Sequence, residues 1–172
     1  MINWPRTVSH LLLLAAPAFL PSPGATQVAT DTGFAGVQSR GAVVMGVDQY
    51  SSHHMFEDLP DGGRIVFVRD DPADTAGAAR IRRHLRRIAR SFAAGVFTDP
   101  ATVHAREVPG TATMARLRDR IRYVASDRAG GGELRITTTD AEALGAVHDF
   151  LAFQRMDHHA AGHEGMEHHQ TP

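Results

Sequence analysis

The sequence predicts an α+β fold: two ββα units forming a four-stranded antiparallel sheet with the helices on one face. Three observations predict it. First, a pattern recurs: Gly62-Gly63-RIVFVRD and Gly131-Gly132-ELRITTTD each follow a strand-like run, and each leads into a helix of similar length. Second, Ile81, Leu85, Ile88 and Phe92 fall at steps of four, three and four, a single apolar stripe of helical period. Third, the chain has 172 residues, 42% of them hydrophobic, which suffices for one core without covalent staples. Two units pairing edge to edge would bury one sheet face against both stripes in a single layer contact.

Taken in order, Met1 to about Ala25 reads as a signal peptide. Arg6 supplies a positive start, Leu11 to Leu20 an apolar run, and Pro21-Ser22-Pro23-Gly24-Ala25 a small-residue exit. Ten apolar residues are too few for a membrane span, which needs about twenty. The expected location is therefore periplasmic or secreted. Residues 26–46 read as a linker with a short helix ending near Gly46. Residues 47–157 form the duplicated ββα domain. Its first hairpin pairs HHMFEDL with RIVFVRD around Pro60-Asp61-Gly62-Gly63, residues that favour tight turns. The acidic, proline-bearing run Asp70 to Asp74 opens a helix that lasts to about Ala94. Thr98 to Gly110 reads as a loop, and Thr111 to Arg120 as a short helix with Met114 and Leu117 inward. IRYVASD and ELRITTT make the second hairpin, and Asp140 N-caps the last helix. Residues 158–172 read as a flexible His/Met-rich tail.

Composition excludes several chemistries. Without cysteine there are no disulfides, thiolate metal sites or cysteine nucleophiles. All 18 basic residues are arginine, so Schiff-base and P-loop mechanisms, which need a lysine amine, are also out. Charge is uneven: Arg64 to Arg135 holds 15 Arg against 8 acidic residues, whereas Asp140 to Pro172 holds 6 acidic residues, one Arg and 6 of the 11 histidines. An acidic, histidine-rich end attracts cations; a basic body attracts anions.

The tail carries the sharpest chemical signal. Met156-Asp157-His158-His159 and Met166-Glu167-His168-His169 are two copies of one tetrapeptide, with His163 between them. Imidazole suits copper and zinc, and thioether sulfur adds preference for copper(I). Met156, His158, His159, His163, Met166, His168 and His169 are therefore candidate metal ligands. His54, His104 and His148 join them because they come from separate elements, as the ligands of built sites usually do. For each of these three alone, and for His84, a place at the border of the core with one nitrogen bonded is the plainer reading. Catalytic templates fail: there is no G-x-S-x-G and no H-E-x-x-H. Asp48, Glu57, Asp58 and Glu107 could each supply an acid/base carboxylate, but no spacing selects one. Gly130 to Gly132 lies between two strands and reads as a turn, not a phosphate loop.

RGAVVMGVDQ, SSHHMF, LPDGGRI, DPADTA, IRRHLRRIARSFAAG, HAREVPGT and ITTTDAEALGAVHDFLAFQ together resemble a family of small exported bacterial proteins, a likeness that covers roughly Arg40 to Arg155. In that pattern the His53-His54 pair, His84, His104 and His148 recur. Relatives sometimes carry the label aspartate carbamoyltransferase. The resemblance supplies no carbamoyl-phosphate site here: there is no Ser-Thr-Arg-Thr stretch and no His-Pro-x-Gln. The paired Met-acid-His-His copies depart from the family pattern, in which the tail is shorter and poorer in histidine.

The first functional reading is thus an exported, non-enzymatic metal-binding protein for copper or zinc, with the tail as capture segment. It expects about two divalent ions and loss of most capacity on truncation after Arg155. The alternatives are a small hydrolase-like envelope enzyme centred on His54, His104 and His148, and a module that binds an anionic envelope surface through the arginine-rich helix. Nucleic acid is not an expected partner, because no aromatic residues interleave with these arginines.

Overall fold

The computed structural model describes residues 33–160, together with Met1. The expected signal peptide and the tail beyond residue 160 lie outside the described residues. In chain order come α1 (Phe34–Met45), a 3-10 turn (Gln49–Ser51), β1 (Ser52–Leu59), β2 (Gly62–Arg69), α2 (Thr75–Ala93), α3 (Thr98–His104) and α4 (Thr111–Arg116). A second 3-10 turn (Arg118–Arg120), β3 (Ile121–Arg128), β4 (Gly131–Thr138) and α5 (Ala141–Asp157) complete it. Among the described residues, no helix is long and apolar enough to cross a membrane.

The four strands form one antiparallel sheet in the order β1-β2-β4-β3. The repeat seen in the sequence becomes a two-fold relation at the centre of the sheet. There Gly62 opposes Thr137, and its counterpart Gly131 opposes Val68. Both long helices cover one face. A Cβ at Gly63 would lie 2.1 Å from Leu151 Cδ1 on α5, and one at Gly132 would lie 2.9 Å from Leu85 Cδ1 on α2. The two glycines share their sheet face with Ile65, Phe67, Leu134 and Ile136, and their missing side chains let the helices sit close.

Helix α2 starts where Asp74 accepts a hydrogen bond from the Gly77 amide at 2.8 Å, satisfying one of the orphan donors of the first turn. Its stripe of Ile81, Leu85, Ile88 and Phe92 is fully buried. Asp140 caps α5 in the same way, accepting from the amides of Glu142 and Ala143 at 3.0 and 3.1 Å. Phe67, Phe92 and Phe150 lie at the centre of the core, each contributing about 1.5–3 kcal/mol by burial.

Two segments are more ordered than the sequence suggests. Helix α1 has 12 residues, buries Val37 completely and is tied to α3 by Arg40 Nε donating to the Val103 carbonyl at 2.8 Å. The segment read as a loop from Thr98 contains α3, because Pro100 stands in the first turn, where no amide proton is needed. On α5, Ala143, Ala146, Val147, Phe150 and Leu151 are buried while Leu144 is only partly covered. Gly110, with a positive φ of 80°, leads into α4. A Cβ there would lie 2.1 Å from the Ala146 carbonyl oxygen, so α4 and the small-residue face of α5 meet backbone to backbone.

Candidate functional site

A cavity of about 60 Å³ lies between the β1 end of the sheet, α2, α3 and the C-terminal end of α5. Its walls are mostly apolar, but four histidines reach it: His54, His84, His104 and His158. Each comes from a different element.

Strand alternation places His54. On β1, His54 and Phe56 face the helices, while His53 turns to solvent and pairs with Asp70 at 2.6 Å. The His54 ring stacks on Phe67, its partner across the strands, with centroids 3.8 Å apart and planes within 11°. His158 is the residue that ends α5, its amide donating to the Gln154 carbonyl at 3.0 Å. It is 9% exposed, and its ring centre lies 5.1 Å from both the His54 and the His104 ring.

His104, 1% exposed, ends α3. Its Nδ1 lies 2.5 Å from Asp157 Oδ2, and its Nε2 lies 3.0 Å from Gln154 Oε1. Arg106 donates to the other Asp157 oxygen at 2.8 Å and lies over the Phe153 ring at 4.7 Å. Asp157 thereby orients His104, and Arg106 orients Asp157. His84, on α2, accepts at Nδ1 from Arg87 Nη2 at 3.0 Å, because a guanidinium can only donate.

Burial sets the charge state of this group. It lowers His84 to about 4, with Arg87 adding to the shift and Asp99 opposing it. His158 is also lowered to about 4, by burial and then by His104, with Asp157 opposing. His54 is held well below the usual imidazole value, again by burial first and then by His158, His84 and His53. These three rings are neutral at pH 7, the form in which imidazole ligates metals.

Two of them have an unmet need. Among the described residues, neither His54 nor His158 makes a side-chain hydrogen bond; their ring contacts are with Phe56, Phe67, His104 and each other. Gln154 Nε2, beside them, is buried without a partner among the described residues, whereas the ring nitrogens of His54 and His158 are not fully cut off from solvent. Buried polar groups are nearly always hydrogen-bonded, and the exceptions concentrate where a ligand, ion or proton is handled. As the side chains stand, no three or more His, Asp or Glu groups among the described residues converge closely enough to hold a metal ion.

The candidates named from sequence therefore separate. His54, His104 and His158 come together. His148 does not join them: its Nε2 lies 3.1 Å from the Leu59 carbonyl and 3.0 Å from that of Gly62, so it pins α5 to the turn of the first hairpin. His159 stacks on Phe34 at 4.3 Å, and Met156 is 64% exposed. His163, Met166, His168 and His169 lie outside the described residues. Of the carboxylates, Asp48 caps the first 3-10 turn, Glu57 accepts from Arg64 Nε at 2.5 Å, and Asp58 pairs with Arg155. None of these three lines the cavity, and nor does Glu107.

Sequence reasoning placed His84 at the border of the core with one nitrogen bonded, as Arg87 bonds it, and gave no place in a pocket to Gln154 or to Asp157. A signal for the last two exists. Gln154, Asp157 and His158 share one face of α5 at steps of three and one, directly after the apolar Phe150 and Phe153. Comparison with family models, with curated proteins and with solved structures returned no match.

Proposed function

We propose that the chain is an exported metal-binding protein that takes up copper or zinc between His54, His158 and His104, with the Met/His-rich tail as a capture segment for the same ion. The observation that carries this reading is the adjacent pair of neutral, largely buried imidazoles, His54 and His158, that lack hydrogen-bond partners among the described residues. Ring spacing supports it. Two imidazoles on one tetrahedral ion, bonded at roughly 2.0–2.1 Å, have ring centres roughly 5 Å apart. The two ring pairs here are at 5.1 Å.

His104 is the third ligand of this reading. Ligating histidines usually hold a carboxylate on their other nitrogen, and Asp157 stands at Nδ1. Its Nε2, which lies 3.0 Å from Gln154 Oε1, becomes available when the Gln154 amide turns aside. The Asp157–His104 pair has the form of an oriented general base as well. Yet the residues lining the cavity include no serine, threonine, cysteine or lysine, and its one carboxylate, Asp99, is paired with Arg87.

Truncation separates pocket from tail, provided the cut is placed correctly. A chain ending at Arg155 loses Asp157 and His158 along with the tail, so the cut belongs after Ala160. Competitive titration with Zn(II) and with Cu(I) should then find one tight site in the chain ending at Ala160 and additional capacity in the full chain. A chain ending at Ala160 that stays folded and binds neither ion would confine metal binding to the tail and end the pocket reading.

A further inference from the structure

Next to the histidine pocket, and sharing His84, Val44 and Met45 with it, an open groove of about 600 Å³ runs between α2 and the end of α1. Five arginines line it; Arg80, Arg83, Arg87 and Arg90 fall at steps of three, four and three, so they form one row along α2, with Arg86 beside the row. At 1.5 Å per residue the row is about 15 Å long. The apolar rim opposite is Val43, which is 83% exposed, and Val44.

The arginines of α2 fall into two groups. Arg82 and Arg86 are engaged with Asp127, and Arg87 with Asp99. Arg82 also donates to the carbonyls of Gly131 and Arg128, so it serves the fold. Arg80, Arg83 and Arg90 form no ion pair among the described residues; Arg80 touches Asp74 only through its longer-range field. Three uncompensated guanidiniums in one row therefore face outward.

We propose that this row and its apolar rim form a docking surface for an anionic lipid bilayer. Two features favour a lipid surface over a soluble anion. The row is too long and too open to enclose a single phosphate or carboxylate. An exposed valine beside the guanidiniums gains nothing from a dissolved anion, but at a bilayer it reaches the apolar boundary under the headgroups. The apolar stripe of α2 itself is committed to the core, so the protein adsorbs without inserting that helix.

The test is co-sedimentation of the full chain with vesicles of phosphatidylglycerol and phosphatidylcholine, against phosphatidylcholine alone. Leu11 to Leu20 would bind both kinds of vesicle, so the difference between them is the readout. Wild type should prefer the anionic vesicles in a salt-sensitive way. The triple variant R80Q/R83Q/R90Q, checked for an unchanged melting temperature, should lose that preference by roughly 100-fold, about five-fold per arginine. Val43→Asp should weaken it as well, while R116Q, an equal charge change at an exposed arginine outside the groove, should change it little. A triple variant that binds as wild type would overturn the proposal, as would R116Q losing as much as the triple. Binding of soluble polyphosphate with no preference for anionic vesicles would overturn it too, and would assign the row to a dissolved phosphate chain.

Discussion

Lowering the pH from 7 to 4 should destabilise the protein by several kcal/mol, with most of the loss arising from buried histidines. In the folded chain His84 and His158 titrate at about 4, and His54 is also lowered. In the unfolded chain all three titrate near 6.5. Between these values the unfolded state binds more protons than the folded one. The stability is thus complete above about pH 6.5 and falls as the pH drops toward 4, by about 1.4 kcal/mol per pH unit for each group. For His84 and His158 this is about 3 kcal/mol each at most, against a total stability of about 5–15 kcal/mol for a domain of this kind. Denaturant midpoints measured from pH 7 to pH 5 should decline steadily in the wild type. His84→Asn or His158→Asn should flatten that slope, because each removes one proton that only the unfolded state takes up. A wild-type slope of zero would mean that these rings are not neutral and buried.

The second large effect concerns the ligand. Replacing His54 and His158 together by leucine should abolish tight metal binding in the chain ending at Ala160. The loss should exceed the roughly 10–100-fold that removing an outer-shell partner of a ligand costs. The same replacement should leave the metal-free protein as stable as before or slightly more so. Each imidazole carries polar nitrogens into an apolar cavity without hydrogen bonds among the described residues, and an apolar side chain of similar size avoids that cost. His148→Leu should do the opposite, lowering stability through the freed Leu59 and Gly62 carbonyls while leaving metal affinity unchanged. Isothermal titration and thermal melting on the three chains distinguish these outcomes.

The fold was legible because its cues are periodic and repeated. The apolar steps of α2, the twin Gly-Gly turns and the aspartate caps all act locally, and all agree with the sheet that forms. The close approach of α4 to α5 was not legible, because it depends on Gly110 meeting Ala146, residues 36 positions apart. The site was legible only in part. His54 and His104, weighed in the sequence as side chains from separate elements, both line the cavity. His148 was weighed with them, yet its ring serves the first hairpin; two carbonyls at a turn offer no sequence signal. His158 read as part of the tail because it follows the last helical residues and repeats a tail motif. Its place as the C-cap of α5 carries it back over the core instead.

The claim that the pocket holds the ion is tested most directly by long-range ¹H–¹⁵N NMR of the histidine rings in the full chain, titrated with Zn(II). The account predicts that the ring nitrogens of His54 and His158 move to ligated positions during the first equivalent, with His163, His168 and His169 following later. If the tail histidines shift from the first addition while His54 and His158 stay unchanged to saturation, the pocket is not a metal site.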